Sequence, residues 1–109
     1  MKAHITTHIL DTSAGRPAAG VTVALLKGSE LIASGSTDGD GRVADWDKTF
    51  QLESTDYTLR FDVGPYFTRN NAASIYSDIQ IKFKVDSIDE HYHVPLLLNP
   101  FGYSTYRGS

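Results

Sequence analysis

The chain contains no cysteine. Disulfides, thiolate catalysis and cysteine-based zinc sites are therefore excluded, and the absence fits a reducing compartment. Like charge forms no block. Ten basic and 13 acidic side chains are interspersed for a formal charge of −3, and the basic patch that a nucleic-acid binder needs is missing. No apolar run approaches the roughly 18–20 residues needed to cross a bilayer. Residues 1–11 lack the uninterrupted apolar stretch of a signal peptide, so the expectation is a soluble, cytoplasmic protein with no membrane contact. Repeats, linkers and low-complexity tracts are also lacking, so residues 1–109 read as a single domain. A chain of this length buries roughly 60–70% of its unfolded surface, enough for one core and not for two.

What is present is a period of two. Ile79, Ile81, Phe83 and Val85 alternate with Gln80, Lys82, Lys84 and Asp86, and the stretch from Tyr57 to Val63 behaves alike. This is the pattern of half-buried strands in an antiparallel sheet. Val21, Val23 and Leu25 give a shorter example. Ile5–Leu10, Glu30–Ser34, Arg42–Asp45, Tyr92–Leu98 and Tyr103–Arg107 complete the strand candidates. Breaks fall at Ser13 to Pro17, at Lys27-Gly28-Ser29, at Asp38 to Gly41 and at Asn99 to Gly102, where glycine, proline, asparagine and aspartate suit turns. One short helix is predicted near Pro65–Ala73, with Pro65 in its first turn. Many short strands joined by such turns make a sandwich or barrel.

Strand parity places the histidines. His4, Thr6, His8 and Leu10 share one face of the first strand, and Ile5, Thr7 and Ile9 share the more apolar other face. On the late strand Tyr92, Val94, Leu96 and Leu98 oppose His91, His93, Pro95 and Leu97. Two strands thus pack one side into a core and present histidines on the other, where an imidazole can move protons near neutral pH. His91 and His93 on one face could also chelate a metal, but only with a third ligand such as His4 or an acid.

A set of motifs adds to this reading. The run from His91 through Asn99-Pro100-Phe101-Gly102 to Tyr106-Arg107-Gly108-Ser109 resembles the closing segment of the 5-hydroxyisourate hydrolases, transthyretin-like proteins whose hallmark is that last tetrapeptide. Thr7 to Thr12 with Gly15-Arg16-Pro17-Ala18 is similar to the family's opening motif, Thr37 to Arg42 to its third, and Leu59 to Asp62 with Tyr66-Phe67 to its middle segment. The resemblance covers nearly the whole chain in order. Departures fall in the variable loop Asp45–Ser54 and at Ser77, where relatives often carry proline.

The resemblance implies an all-β fold: a two-sheet antiparallel sandwich of about eight strands with one short helix. It also implies a homotetramer, a dimer of dimers, with sites at the dimer–dimer interface. The implied reaction opens the six-membered ring of 5-hydroxyisourate with water, without metal or cofactor. His8 is then expected nearest the water, with His93 orienting it or relaying the proton; the reverse assignment uses the same two residues. Arg42 is expected to hold substrate oxygens and the developing charge. Ser109 would offer its hydroxyl and a terminal carboxylate, Tyr106 would contact the substrate ring, and Arg107 and Gly108 would place the tail. His91 is read as a supporting residue and His4 as exposed. The rival readings are a transthyretin-like carrier of a small hydrophobic ligand, a β-sandwich interaction module, and a metal-dependent hydrolase using His91 and His93.

Overall fold

A computed structural model describes residues 4–109, and the first three residues of the segment read above for a leader lie outside it. Strands β1 (Ile5–Asp11), β2 (Arg16–Pro17), β5 (Arg42–Val43), β8 (Tyr92–Asn99) and β9 (Gly102–Thr105) form one sheet. Strands β3 (Thr22–Lys27), β4 (Glu30–Ser36), β6 (Asp56–Asp62) and β7 (Ile79–Lys84) form the other, in the order β4-β3-β6-β7. In the first sheet β8 lies along one side of β1, and β2 and β5 share its other side. The second sheet is wholly antiparallel. The first is mixed, because β1 and β8 run parallel, which corrects the expectation of purely antiparallel pairing. Alternation reports which side of a strand is buried and is silent about strand direction.

The core is the two inner faces. Ile5 and Ile9 of β1 and Leu96 and Leu98 of β8 meet Val23, Leu25, Leu59 and Phe61 from the second sheet, all fully buried. Each such side chain contributes about 1.5–3 kcal/mol relative to exposure. The β1 burial pattern alternates without a break, as parity predicts. On β7 only Ile79 is buried; Ile81 and Phe83 are half-buried because β7 is an edge strand facing an open cleft.

Segment ends differ from the sequence reading in small ways. The strand from Tyr57 starts at Asp56 and stops at Asp62, and Val63 opens helix α1 (Val63–Arg69). Pro65 stands in the first turn of α1, where its missing N–H costs nothing. The helix ends by Asn70, short of Ala73, and Asn71 takes a left-handed φ of 55°. The helix is tied to β1 through its Tyr66, whose hydroxyl donates to Asp11 Oδ2 at 2.6 Å inside the protein.

Candidate active site

The outer face of the first sheet gathers the polar residues. The parallel register sets Thr6 opposite His93, His8 opposite Pro95 and Leu10 opposite Leu97. On the other side of β1, His8 stands opposite Arg42. Three neighbouring strands, β5, β1 and β8, therefore bring Arg42, His8 and His93 onto one face. His8 and His93 are half-buried and Arg42 is exposed.

Arg42 is delivered by a tight loop. Asp38 Oδ1 accepts from the backbone N–H of Asp40 at 2.9 Å and of Arg42 at 3.0 Å, and Asp38 N–H donates to the Arg42 carbonyl at 3.0 Å. The Arg42 amide is the largest influence holding the Asp38 carboxyl below its ordinary value, against partial desolvation. Gly41 takes φ +77°, and a Cβ there would stand 2.4 Å from the Ile9 carbonyl oxygen. Only glycine lets this loop press against β1, where Ile9 N–H donates to Gly41 O at 2.7 Å.

His93 is held from three directions. Thr6 Oγ1 lies 2.8 Å from its Nδ1. The tail forms a bridge between Gly108 and His93, with Gly108 N–H donating to the His93 carbonyl at 2.8 Å. A Cβ on Gly108 would come within 2.6 Å of His93 Cδ2, so the tail backbone lies directly against the imidazole. His91 sits alongside, its ring 6.4 Å from that of His93 and nearly parallel to it. Burial, and then the positive charges of His91, Arg42 and His8, push the His93 pKa below that of an ordinary histidine. The imidazole is neutral near pH 7, the state a general base needs.

The tail divides its residues between two sides. Ser104, on β9, pairs with Leu97 and faces outward with it, and Thr105 Oγ1 donates to the Pro95 carbonyl at 2.7 Å. Ser109 follows Gly108 and is exposed, and Tyr106 is 56% exposed. Arg107 turns the other way. Its guanidinium lies 4.6 Å from the centre of the Tyr92 ring and bonds Glu90 Oε1 at 3.1 Å and the His91 carbonyl at 3.2 Å. It anchors the tail from the inner side and does not join the histidine face. An open cleft of about 280 Å³ runs between β7 and the tail, lined by Phe83, Tyr92, Val94, Tyr106 and Arg107 among others. It contains none of the histidines.

Two features escaped the sequence reading. Thr6 was placed on the histidine face without a role, and parity alone could have flagged it. Asp11, nearly buried, accepts from the hydroxyl of Tyr66 and from the Ser13 hydroxyl and the Ser13 and Ala14 amides. Burial pushes its pKa up, but these donors outweigh burial and hold it below the ordinary carboxylate value. The Tyr66 hydroxyl is pushed up to about 12, first by its burial and then by its bond to Asp11. No local pattern announces this pair, whose members are 55 positions apart. Among the described residues, no three or more histidines and acids converge as a metal site would require.

A family model described as the HIUase/Transthyretin family matches residues 5–108. A 5-hydroxyisourate hydrolase of Halalkalibacterium halodurans is 46% identical, with all of both chains covered. The solved structure of Klebsiella pneumoniae 5-hydroxyisourate hydrolase superposes with a TM-score of 0.86 at 41% identity, covering 96% of this chain and 92% of that one. Sea bream transthyretin in complex with thyroxine superposes with a TM-score of 0.86 at 26% identity, covering 97% and 95%.

Proposed function

Because the chain belongs to the HIUase/Transthyretin family, we propose that it is a hydrolase that opens 5-hydroxyisourate at its N1–C6 bond to give 2-oxo-4-hydroxy-4-carboxy-5-ureidoimidazoline. The observation that carries this reading is the meeting of Arg42, His8 and His93 on one sheet face, with the tail laid against His93. A carrier of an apolar ligand has no use for two imidazoles and a guanidinium on that face.

Hydrolysis of a cyclic amide needs a base for water, a donor for the oxyanion and a proton for the departing nitrogen. His93 supplies the base. It is neutral, and with Nδ1 engaged by Thr6 the nitrogen left for water is Nε2. On this reading the base is His93; the assignment with His8 as the base, favoured from the sequence, uses the same two residues. As water attacks C6, its proton passes to Nε2 and negative charge builds on the carbonyl oxygen. Arg42 faces that charge with a permanent cation and a planar fork of donors. His8, one strand over, holds the ring and supplies the proton that leaves with N1. Ser109 offers its hydroxyl at the tail end, and Arg107 and Gly108 hold the tail in place, with Tyr106 beside them in the cleft toward β7. The steps close without a metal or an organic cofactor.

The face is open in a single chain, and its apolar members Leu10 and Leu97 are only half-buried. A homotetramer completes it: two dimers pack through this face and close the site. The edge strands β7 and β9, which flank one cleft, leave their outer sides unpaired for the contact within each dimer.

The test is direct. 5-Hydroxyisourate generated from urate by urate oxidase is followed by its ultraviolet absorbance, with and without the protein. The expected result is a strong acceleration, reduced on the order of 10²-fold or more in Arg42→Ala or His93→Ala with folding retained. Absence of acceleration by a folded oligomer would overturn the reading and bring the carrier forward.

A further inference from the structure

A hydroxyl carries one proton, yet Thr6 Oγ1 touches two imidazole nitrogens. It lies 2.8 Å from Nδ1 of His93 and 3.0 Å from Nε2 of His91. Oγ1 can donate to one ring only, so the other ring must donate to it. The choice fixes the tautomer of both histidines at once.

We propose that Thr6 is a positioning residue that holds His93 with its proton on Nδ1 and its lone pair on Nε2, and that lets the charge of a protonated His93 pass to His91. In this arrangement His93 Nδ1–H donates to Thr6 Oγ1, and the Thr6 hydroxyl donates to His91 Nε2. The opposite orientation would protonate Nε2 of His93 and remove the base. The role rests on the hydrolase reading, in which His93 Nε2 accepts a proton from water.

The path conserves protons and charge. When Nε2 of His93 gains a proton, the ring becomes an imidazolium. Its Nδ1 proton passes to Thr6 Oγ1 as the Thr6 proton passes to His91 Nε2. The positive charge then rests on His91, which is exposed to solvent. When Nε2 gives up its proton to solvent, the Thr6 proton returns to Nδ1 and the proton on His91 Nε2 returns to Thr6, which restores the base form of His93. His91, His8 and Arg42 are the charged or titratable groups that act on His93, and all three disfavour a charge retained there. The near-parallel stacking of His91 and His93 keeps both rings in reach of one hydroxyl.

The placement is not a by-product of packing. Thr6 sits on the outer face, away from the core, opposite His93 in the parallel register. Valine fills the same volume and suits a strand equally well. Serine keeps the hydroxyl. The two substitutions therefore separate shape from chemistry.

The experiment uses the intact protein in two measurements. Steady-state turnover of 5-hydroxyisourate should fall on the order of 10–100-fold in kcat for Thr6→Val, the loss typical when a histidine's orienting partner is removed, with KM little changed. Thr6→Ser should recover most of the loss. Separately, nitrogen-15 NMR of the His93 ring in the wild-type protein should show Nδ1 protonated and Nε2 bare, and Thr6→Val should abolish that preference. A wild-type ring protonated on Nε2, or full kcat in folded Thr6→Val, overturns the proposal. The NMR arm needs no substrate, so it decides the tautomer even if 5-hydroxyisourate turns out not to be turned over.

Discussion

Gly108→Ala probes the site through one added methyl group. The new Cβ would lie 2.6 Å from His93 Cδ2 and 3.2 Å from Pro95 Cγ, whereas ordinary contact begins near 3.4 Å, so ring and tail must part by about 0.8 Å. Neither side yields freely. The ring is tied to Thr6 through Nδ1, the tail is tied to β8 through its bond to the His93 carbonyl, and the Pro95 ring is rigid. Displacing a reacting group by about 1 Å costs on the order of 10²-fold in rate. That corresponds to about 2.7 kcal/mol of lost transition-state stabilisation, at 1.36 kcal/mol per tenfold. The same overpacking should lower folding stability by about 1–3 kcal/mol. The assay is kcat/KM for 5-hydroxyisourate, with a thermal melt to confirm folding. A double-mutant cycle isolates the cause: in a His93→Ala background the added methyl should cost little, because the group it displaces is gone. A wild-type rate in Gly108→Ala, or an undiminished loss in that background, would refute the argument.

Further outcomes rest on the same geometry. Gly41→Ala forces a left-handed φ on alanine and drives Cβ into the Ile9 carbonyl; it should cost about 1–3 kcal/mol of stability and reduce turnover by moving Arg42, and an unchanged melt with full activity would contradict this. Tyr66→Phe removes a hydrogen bond to a charged group and should cost about 1.5–3 kcal/mol in urea unfolding at pH 7. Because the Asp11 pKa is lowered in the fold, its contribution is complete above the ordinary carboxylate pKa and is lost as pH falls through the folded value. The gap between wild type and Tyr66→Phe should therefore shrink on acidification, and a gap that stays constant to pH 3 would count against the pairing. The His93 pKa lies below the ordinary histidine value, so kcat/KM should hold as pH drops through about 6.5 and fall only below that. His91→Gln removes one of the repelling charges and should move this fall toward higher pH; a limb that does not move would exclude the coupling.

Much of this protein is legible in its sequence because some physical constraints are local. Period-two alternation sent Ile5 and Ile9 inward and Thr6 and His8 outward, and it did the same for Tyr92, Val94, Leu96 and Leu98 against His91 and His93. Burying the apolar side of each strand leaves no other placement for the polar side. Glycine and aspartate between Asp38 and Gly41 specify a turn by their own backbone preferences, and Gly28 does so with φ +62° in the β3–β4 hairpin. The motifs quoted above added the family, which composition and periodicity could not supply.

The tertiary structure decided what lies next to what. Both a parallel and an antiparallel partner would bury Ile9 and Leu96 equally well, and the parallel choice is what sets Thr6 against His93 across 87 positions. Arg107 and Gly108 are neighbours in sequence, yet one anchors the inner side and the other lies against the His93 imidazole, because the tail turns back along β8. The Asp11–Tyr66 pair likewise exists only once helix α1 docks on β1. The physical reason is common to all three. Which side of a strand is buried depends on the residues of that strand alone. Strand direction, pairing partner and the neighbours of an imidazole depend on the summed packing of the whole chain.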